Sequence, residues 1–409
     1  MTFSEAARDL ASPVKKGLSG YREGVVESFR LPEAAARDFR IDAMKGLAIV
    51  LVVIGHAVLI LDVALKNSPQ RLVINSFHMP LFFFLSGWLA YASTQRYPPG
   101  KLFSKRFVNL VVPFMSWYFI VGATWTLAFR NMGIGEYSWR LVENTWTGRW
   151  FLLVLFWCFV LLVLANRLVG RLKFFAYPLV YLVPLAIPAL LGKDVSTPFL
   201  GLGMLTRVLL FFFAGYLICE RKDGIAEAFH RRPALGKAAI ATVLLAFPLL
   251  VVVGALTARS PGPVFYFYMG IPATPFDPTR ILAMAVASLG TAWVFCVFWL
   301  KKTRRGIGWL AWIGNYTLDI LVIHMAASYF SLKVLAPSLA SAGTVGRVFG
   351  VLLMTVFALA FSLSVSIFLL RRSRVLAFLF LGKPYAREAI VPLALPARRE
   401  TGLGEREAA

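Results

Sequence analysis

Charge is what this chain has least of. Only 15% of its 409 residues are Asp, Glu, Lys or Arg, where soluble domains carry about a quarter. With 59% hydrophobic residues beside that deficit, a water-soluble globular fold is excluded. Cysteine is almost as scarce: Cys158, Cys219 and Cys296 lie far apart, in or at the ends of apolar stretches. That excludes a disulfide framework, and no metal-ligand spacing is visible. Acidic residues number 20 against 43 basic ones, and there are four histidines. No polar segment is long enough to bury a core of its own. Residues 1–42 alternate charge with alanine and lack the apolar core of a signal peptide.

What is there is a series of long apolar runs. A membrane span needs about 20 mostly apolar residues, and ten runs qualify, near 44–63, 72–92, 107–129, 150–168, 174–191, 204–219, 236–257, 281–300, 309–332 and 348–370. Backbone groups in lipid must bond within the segment, and none of these runs alternates as a barrel strand does, so they read as helices. The expected fold is all-α and polytopic, with about ten transmembrane helices.

The formal charge of +23 raises the question of nucleic-acid binding, but its distribution answers it. Thirty-two of the 43 Lys and Arg fall in the two terminal segments and in alternate loops. Cytoplasmic loops are the ones enriched in Lys and Arg, which puts both termini in the cytoplasm. The charge therefore records topology, with attraction to anionic headgroups as a generic addition, and no nucleic-acid partner is expected. Three parts follow: a basic cytoplasmic segment at 1–42, one transmembrane domain at 43–370 and a basic cytoplasmic tail at 371–409. A loop expected outside, "SPGPVFYFYMGIPATPFDP", either lines an acceptor site or is a stiff interfacial segment.

Ionisable side chains inside spans are costly and by default functional. Here they are His56 in the first span, His78 in the second, and Asp319 and His324 in the ninth. At about 1.5 Å of rise per residue, the three histidines fall at similar depths, about 15–21 Å from the cytoplasmic boundary, with Asp319 about 13 Å up. Lys45 and His56, eleven residues apart, return to nearly the same azimuth, about 16 Å apart along the axis. A cation at the rim and a proton acceptor deeper on the same stripe suit a long anionic substrate that enters headgroup outermost.

Each residue also has a plainer reading. Lysines flank cytoplasmic helix ends anyway. His78 precedes Met79-Pro80, and its ring N–H is placed to satisfy the carbonyl that the proline frees. Asp319 lies about 140° round the helix from His324, with Asn315 one turn below it, and either lines the site or is structural. Asp42 suits the N-cap of the first span.

"RIDAMKGLAIVLVVIGH" and "FHMPLFFFLSGWLAY", followed in order by "SKRFVNLVVPF", "WFLLVLFWCFVLL", "LLFFFAGYLI" and "WIGNYTLDILVIH", resemble segments of the acyltransferase-3 family of membrane sugar O-acyltransferases. The histidine form of the second segment is most similar to fucose 4-O-acetylase-like members. No fused extracytoplasmic esterase-like domain is present, and "NYTLDI" replaces a commoner Ser-rich pattern. The resemblance implies transfer of an acyl group, usually acetyl, from cytoplasmic acyl-CoA to a hydroxyl of an envelope or secreted saccharide or glycolipid. It also implies a bacterial inner membrane, with acetyl-CoA as co-substrate and no permanently bound cofactor. On this reading Lys45, Arg40 and Arg106 hold the CoA phosphates. His56 is the general base, and His324 orients or shares its proton or binds the sugar. Asn75 and Ser86 are candidate oxyanion donors, and His78 and Asp319 line the site. The competing class is a saccharide or lipid-linked sugar transporter or flippase, since intramembrane His and Asp also build proton relays. Against it, the sequence shows no two-fold repeat and no paired broken helices.

Overall fold

The computed structural model describes residues 38–61, 69–122, 133, 135, 137, 150–172, 175–190, 201–257, 278–334 and 343–383. Its helices in chain order are α1 (Phe39–Leu61), α2 (Pro69–Arg96), α3 (Pro99–Arg106), α4 (Val112–Ser116), α5 (Trp150–Leu172), α6 (Ala176–Tyr181), α7 (Val183–Leu190), α8 (Leu202–Glu220), α9 (Lys222–Arg231), α10 (Pro233–Thr257), α11 (Pro278–Trp299), α12 (Gly308–Asn315), α13 (Thr317–Val334), α14 (Thr344–Ser364) and α15 (Arg374–Leu381). No strand occurs among the described residues. Seven of these helices are long and apolar enough to cross a membrane, or eight if the bent pair α12–α13 is counted as one span.

Among the described residues the expected ten is therefore not reached as continuous helices, and three of the runs show why. Residues 107–122 alternate between wide turns and the short α4. Pro113 has no N–H to return to the preceding turn, and Val112 N–H bonds the carbonyl of Phe107 five residues back instead. The run at 174–191 divides into α6 and α7 around Leu182, where Pro184 removes the next donor. The run at 309–332 breaks at Tyr316, where α12 and α13 meet at 80°.

No proline makes that third break. The carbonyls left over at the end of α12 are taken by side chains, Asn315 Nδ2 donating to Ala311 O at 3.0 Å and Thr317 Oγ1 to Gly314 O at 2.7 Å. What sets the direction of α12 is a crossing with α1. A Cβ on Gly46 would fall 1.9 Å from Leu310 O, and one on Gly314 would fall 1.9 Å from Asp42 O. Two backbones touch there because neither residue has a side chain. The same device joins α2 to α8. A Cβ on Gly87 would lie 1.9 Å from Phe212 O, and one on Gly215 would lie 2.0 Å from Phe84 O.

α2 thus lies at the centre, with Leu81, Phe83 and Leu85 almost fully buried. α10 lies at the rim, where Leu245 and Leu249 are 71% and 63% exposed. Apolar faces of that kind on a chain this hydrophobic are surfaces for lipid.

One sequence expectation at a helix start is corrected. The N-cap of α1 is Asp38, whose Oδ1 accepts from Arg40 N–H at 2.9 Å. Asp42 lies inside the first turn and pairs with Lys45 instead. Packed structure continues past residue 370. The chain tightens through Leu370–Arg372, and Ser373 then caps α15 by accepting from Leu376 N–H. α15 docks so that Trp117 Nε1 donates to Phe380 O at 3.0 Å. It ends on Gly382, at φ 61°, with Lys383 N–H donating back to Ala377 O.

Candidate active site

Three helices deliver the histidines expected at similar depth, and the structure brings them together. The rings of His56 on α1 and His324 on α13 have centroids 5.2 Å apart, tilted by 46°. His78 on α2 is buried and within electrostatic reach of His56. His324 is 1% exposed, whereas His56 is only partly buried, so His56 is the more accessible of the contacting pair.

Hydrogen bonding fixes the tautomers. His324 Nδ1 lies 2.9 Å from Ile320 O, and His78 Nδ1 lies 2.8 Å from Ile74 O. A carbonyl can only accept, so each Nδ1 carries the hydrogen and donates, leaving the lone pair of a neutral ring on Nε2. Both rings are thereby set as proton acceptors at their outer nitrogen. The expected bond from His78 to a backbone carbonyl is present, but its acceptor is Ile74 O rather than Ser76 O, the carbonyl four residues before Pro80.

Asn75 belongs to this cluster. It is 5% exposed, and its Oδ1 lies 3.5 Å from where a Cβ on Gly55, the neighbour of His56, would stand. Arg71 belongs as well, one turn before Asn75 on the same face of α2 and only partly buried. Sequence reasoning did not single it out. The signal that would have found it is its spacing, since 71, 75 and 78 stand at i, i+4 and i+7 on one helical face. Ser86 does not belong. It is eight residues beyond His78, about 12 Å further along α2, beside the Gly87 crossing.

The basic residues expected at the rim all lie at the end where α1 begins, each with a different partner. Arg40 clamps Asp38 through Nε and Nη2 at 3.0 and 2.9 Å and stacks 4.3 Å from the Trp299 ring. Lys45 Nζ donates to Asp42 Oδ1 at 2.9 Å. Arg106 donates to Ser93 Oγ at 2.6 Å and lies 4.1 Å over Phe159.

Asp319 does not line the histidine cluster, which corrects the expectation that placed it there. Its carboxylate is fully buried at the α12–α13 break. Oδ2 accepts from Arg371 Nη2 at 2.6 Å, from Arg371 Nε at 2.8 Å and from Ser366 Oγ at 2.6 Å, while Oδ1 accepts from Lys383 at 3.2 Å. Arg371 also stacks 4.6 Å from the ring of Tyr316, the residue of the break itself. Asn315, expected as a partner of Asp319, is turned to Ala311 O by the bend. The loop around 258–277 lies outside the described residues.

A buried imidazole pair with Nε2 lone pairs, an amide, a guanidinium and a distant cationic rim can accept a proton from a hydroxyl and hold an anion. No solved structure matches this chain. Among curated proteins it is similar to a nodulation protein, NolL, of Sinorhizobium fredii, at 29% identity over 49% of this chain and 53% of that one. It is also similar to NolL of Mesorhizobium japonicum, at 35% identity over 22% of this chain and 25% of that one. The chain thus spans about half the length, or less, of the curated relatives it matches. The model of the acyltransferase-3 family, described as an acyltransferase domain, matches residues 38–371, which include every residue of the histidine cluster. An all-helical membrane architecture and a match over most of its length together show that this chain belongs to the acyltransferase-3 family of membrane acyltransferases.

Proposed function

We propose that this protein transfers an acyl group, acetyl in the simplest case, from acyl-CoA to a hydroxyl of an envelope or secreted saccharide or glycolipid, with His56 as general base. The observation that carries this reading is the His56–His324 contact, 5.2 Å between rings, in which the fixed tautomer of His324 leaves a lone pair on Nε2. Positioned proton transfer of this kind is worth roughly 10²–10⁴-fold in rate. His56, partly accessible, takes the hydroxyl proton, and His324 shares it from the buried side. His78 sets the polar wall opposite.

The rim fits the donor. CoA is polyanionic at one end and reactive at the other, and Lys45 lies about 16 Å along α1 from His56. Arg40, Lys45 and Arg106 take phosphates there, the first two by exchanging the carboxylates of Asp38 and Asp42 for phosphate oxygens. In this reading the basic end faces the cytoplasm of a bacterial inner membrane and acyl-CoA is a co-substrate rather than a resident cofactor. The lone 80° break at Tyr316 is a feature transporters share, but they pair such breaks in matching halves. Among the described residues there is one bent pair.

The test is twofold. Mass analysis of surface glycans from cells with and without the gene should show an ester that disappears with it. Acetyl-CoA should raise the Tm of the purified protein. An unchanged glycan profile with proton-coupled sugar flux would replace this reading with transport.

A further inference from the structure

Two of the three imidazoles of the cluster are arranged to accept, not to donate. His78 and His324 each commit Nδ1–H to a backbone carbonyl, Ile74 O and Ile320 O, and present Nε2 as a lone pair. Acyl transfer also needs donors, aimed at the oxygen on which negative charge develops. Two side chains in the cluster can supply them. One is the Asn75 amide, buried beside Gly55. The other is Arg71, four residues before Asn75 and seven before His78 on one face of α2. Asn75, one turn on, reaches the residue beside His56, its Oδ1 lying 3.5 Å from where a Cβ on Gly55 would stand. Arg71 is only partly buried, as a group that meets an incoming substrate should be. It also lies in the first turn of α2, where the positive end of the helix dipole adds to the same field.

We infer that Arg71, with Asn75, is the oxyanion-binding residue of this site, donating to the acyl carbonyl oxygen as it becomes negative. The inference rests on the acyl-transfer reading above. The acceptor hydroxyl oxygen bonds the thioester carbon, its proton passes to the His56 ring, and the carbonyl π pair moves onto oxygen, where Arg71 and Asn75 hold it. On collapse that pair re-forms the carbonyl, the carbon–sulfur bond breaks, and the thiolate leaves with the proton from the imidazolium.

The measurement is steady-state kinetics of purified Arg71→Gln, Arg71→Met, Arg71→Lys and Asn75→Ala with acetyl-CoA and the acceptor, beside thermal shift by CoA. Removing one oxyanion donor costs about 10²–10³-fold in kcat, so that is the fall expected for Arg71→Gln and Arg71→Met. Asn75→Ala should lose less. KM for both substrates and the CoA-induced shift should stay near wild type, and Arg71→Lys should recover part of the rate. Unchanged kcat in Arg71→Gln would overturn the inference. So would an effect confined to acceptor KM, which would make Arg71 a reader of an anionic acceptor. Failure of both neutral variants to fold would overturn it too, since Arg71 would then be a structural anchor. His56→Ala is run in parallel. If it retains activity, the acyl-transfer reading itself fails; if it is dead while Arg71→Gln is active, only the oxyanion assignment fails.

Discussion

His56 is the side chain on which most depends, and its removal is the sharpest test. We expect His56→Ala to lower acyl transfer by at least about 10²-fold at wild-type protein levels. His324→Ala should lower it by a smaller factor, because that ring acts through the first. Equal activity of the three proteins in a radiolabelled acetyl transfer assay would remove the histidines from the chemistry. For Lys45→Ala the expected change is a several-fold rise in KM for the donor with kcat nearly preserved, as for a contact equally strong in ground and transition states. At this scale the three histidines were legible, because few ionisable residues enter a span without a reason and helical rise fixes their depth. The place of Asp319 was not legible. Its partners Ser366, Arg371 and Lys383 lie 47, 52 and 64 residues on, and no local pattern announces them. The reading of Asp42 as cap failed, with Asp38 in that place, for a simpler reason. Both are good cap residues, four positions apart, and only the hydrogen bonds distinguish them.

Among elements, the two glycine crossings hold the site in register. Gly46 and Gly314 seat α12 across α1, while Gly87 and Gly215 bring α8 against α2. An added methyl at Gly46 or Gly87 would sit 1.9 Å from a backbone carbonyl oxygen, so the helices must part. We expect Gly46→Ala and Gly87→Ala each to destabilise by about 1–3 kcal/mol, read as a lower Tm in detergent. Gly55→Ala is the internal control, since its methyl meets Asn75 at an ordinary 3.5 Å, and its Tm should hold. A control that falls as far as the crossing variants would show that loss of helix-packing space is not the cause. Helix positions were largely readable from apolar length. The bend at Tyr316 was not, because the chain turns there to meet another helix, and the residues that permit it are a glycine and two side-chain caps rather than a proline.

Over the whole molecule the sequence puts most basic residues in the terminal segments and alternate loops, the basis for proposing that the end where α1 begins faces the cytoplasm. A cysteine replacing Lys302, in the described turn between α11 and α12, should resist a membrane-impermeant maleimide in intact cells and react after permeabilisation. Labelling in intact cells would invert the topology. The buried ion cluster ties the end of the chain to its centre. Breaking a buried pair from one side costs about 3–5 kcal/mol, so Asp319→Asn should destabilise by that order in thermal unfolding. The triple variant Asp319→Leu/Arg371→Met/Lys383→Met should recover much of the loss, since it leaves no lone charge.

That cluster also orders events in time. During translation Asp319 leaves the ribosome 52 residues ahead of Arg371 and 64 ahead of Lys383. A carboxylate costs about 2.5–3.5 kcal/mol at the centre of a span and less near its end, and Asp319 stands in the first turn of α13. The nascent α13 can therefore keep that end at the water boundary until its cations are made. A messenger truncated before codon 371 should yield a chain that quality-control proteases remove, even though every histidine of the site has already been synthesised.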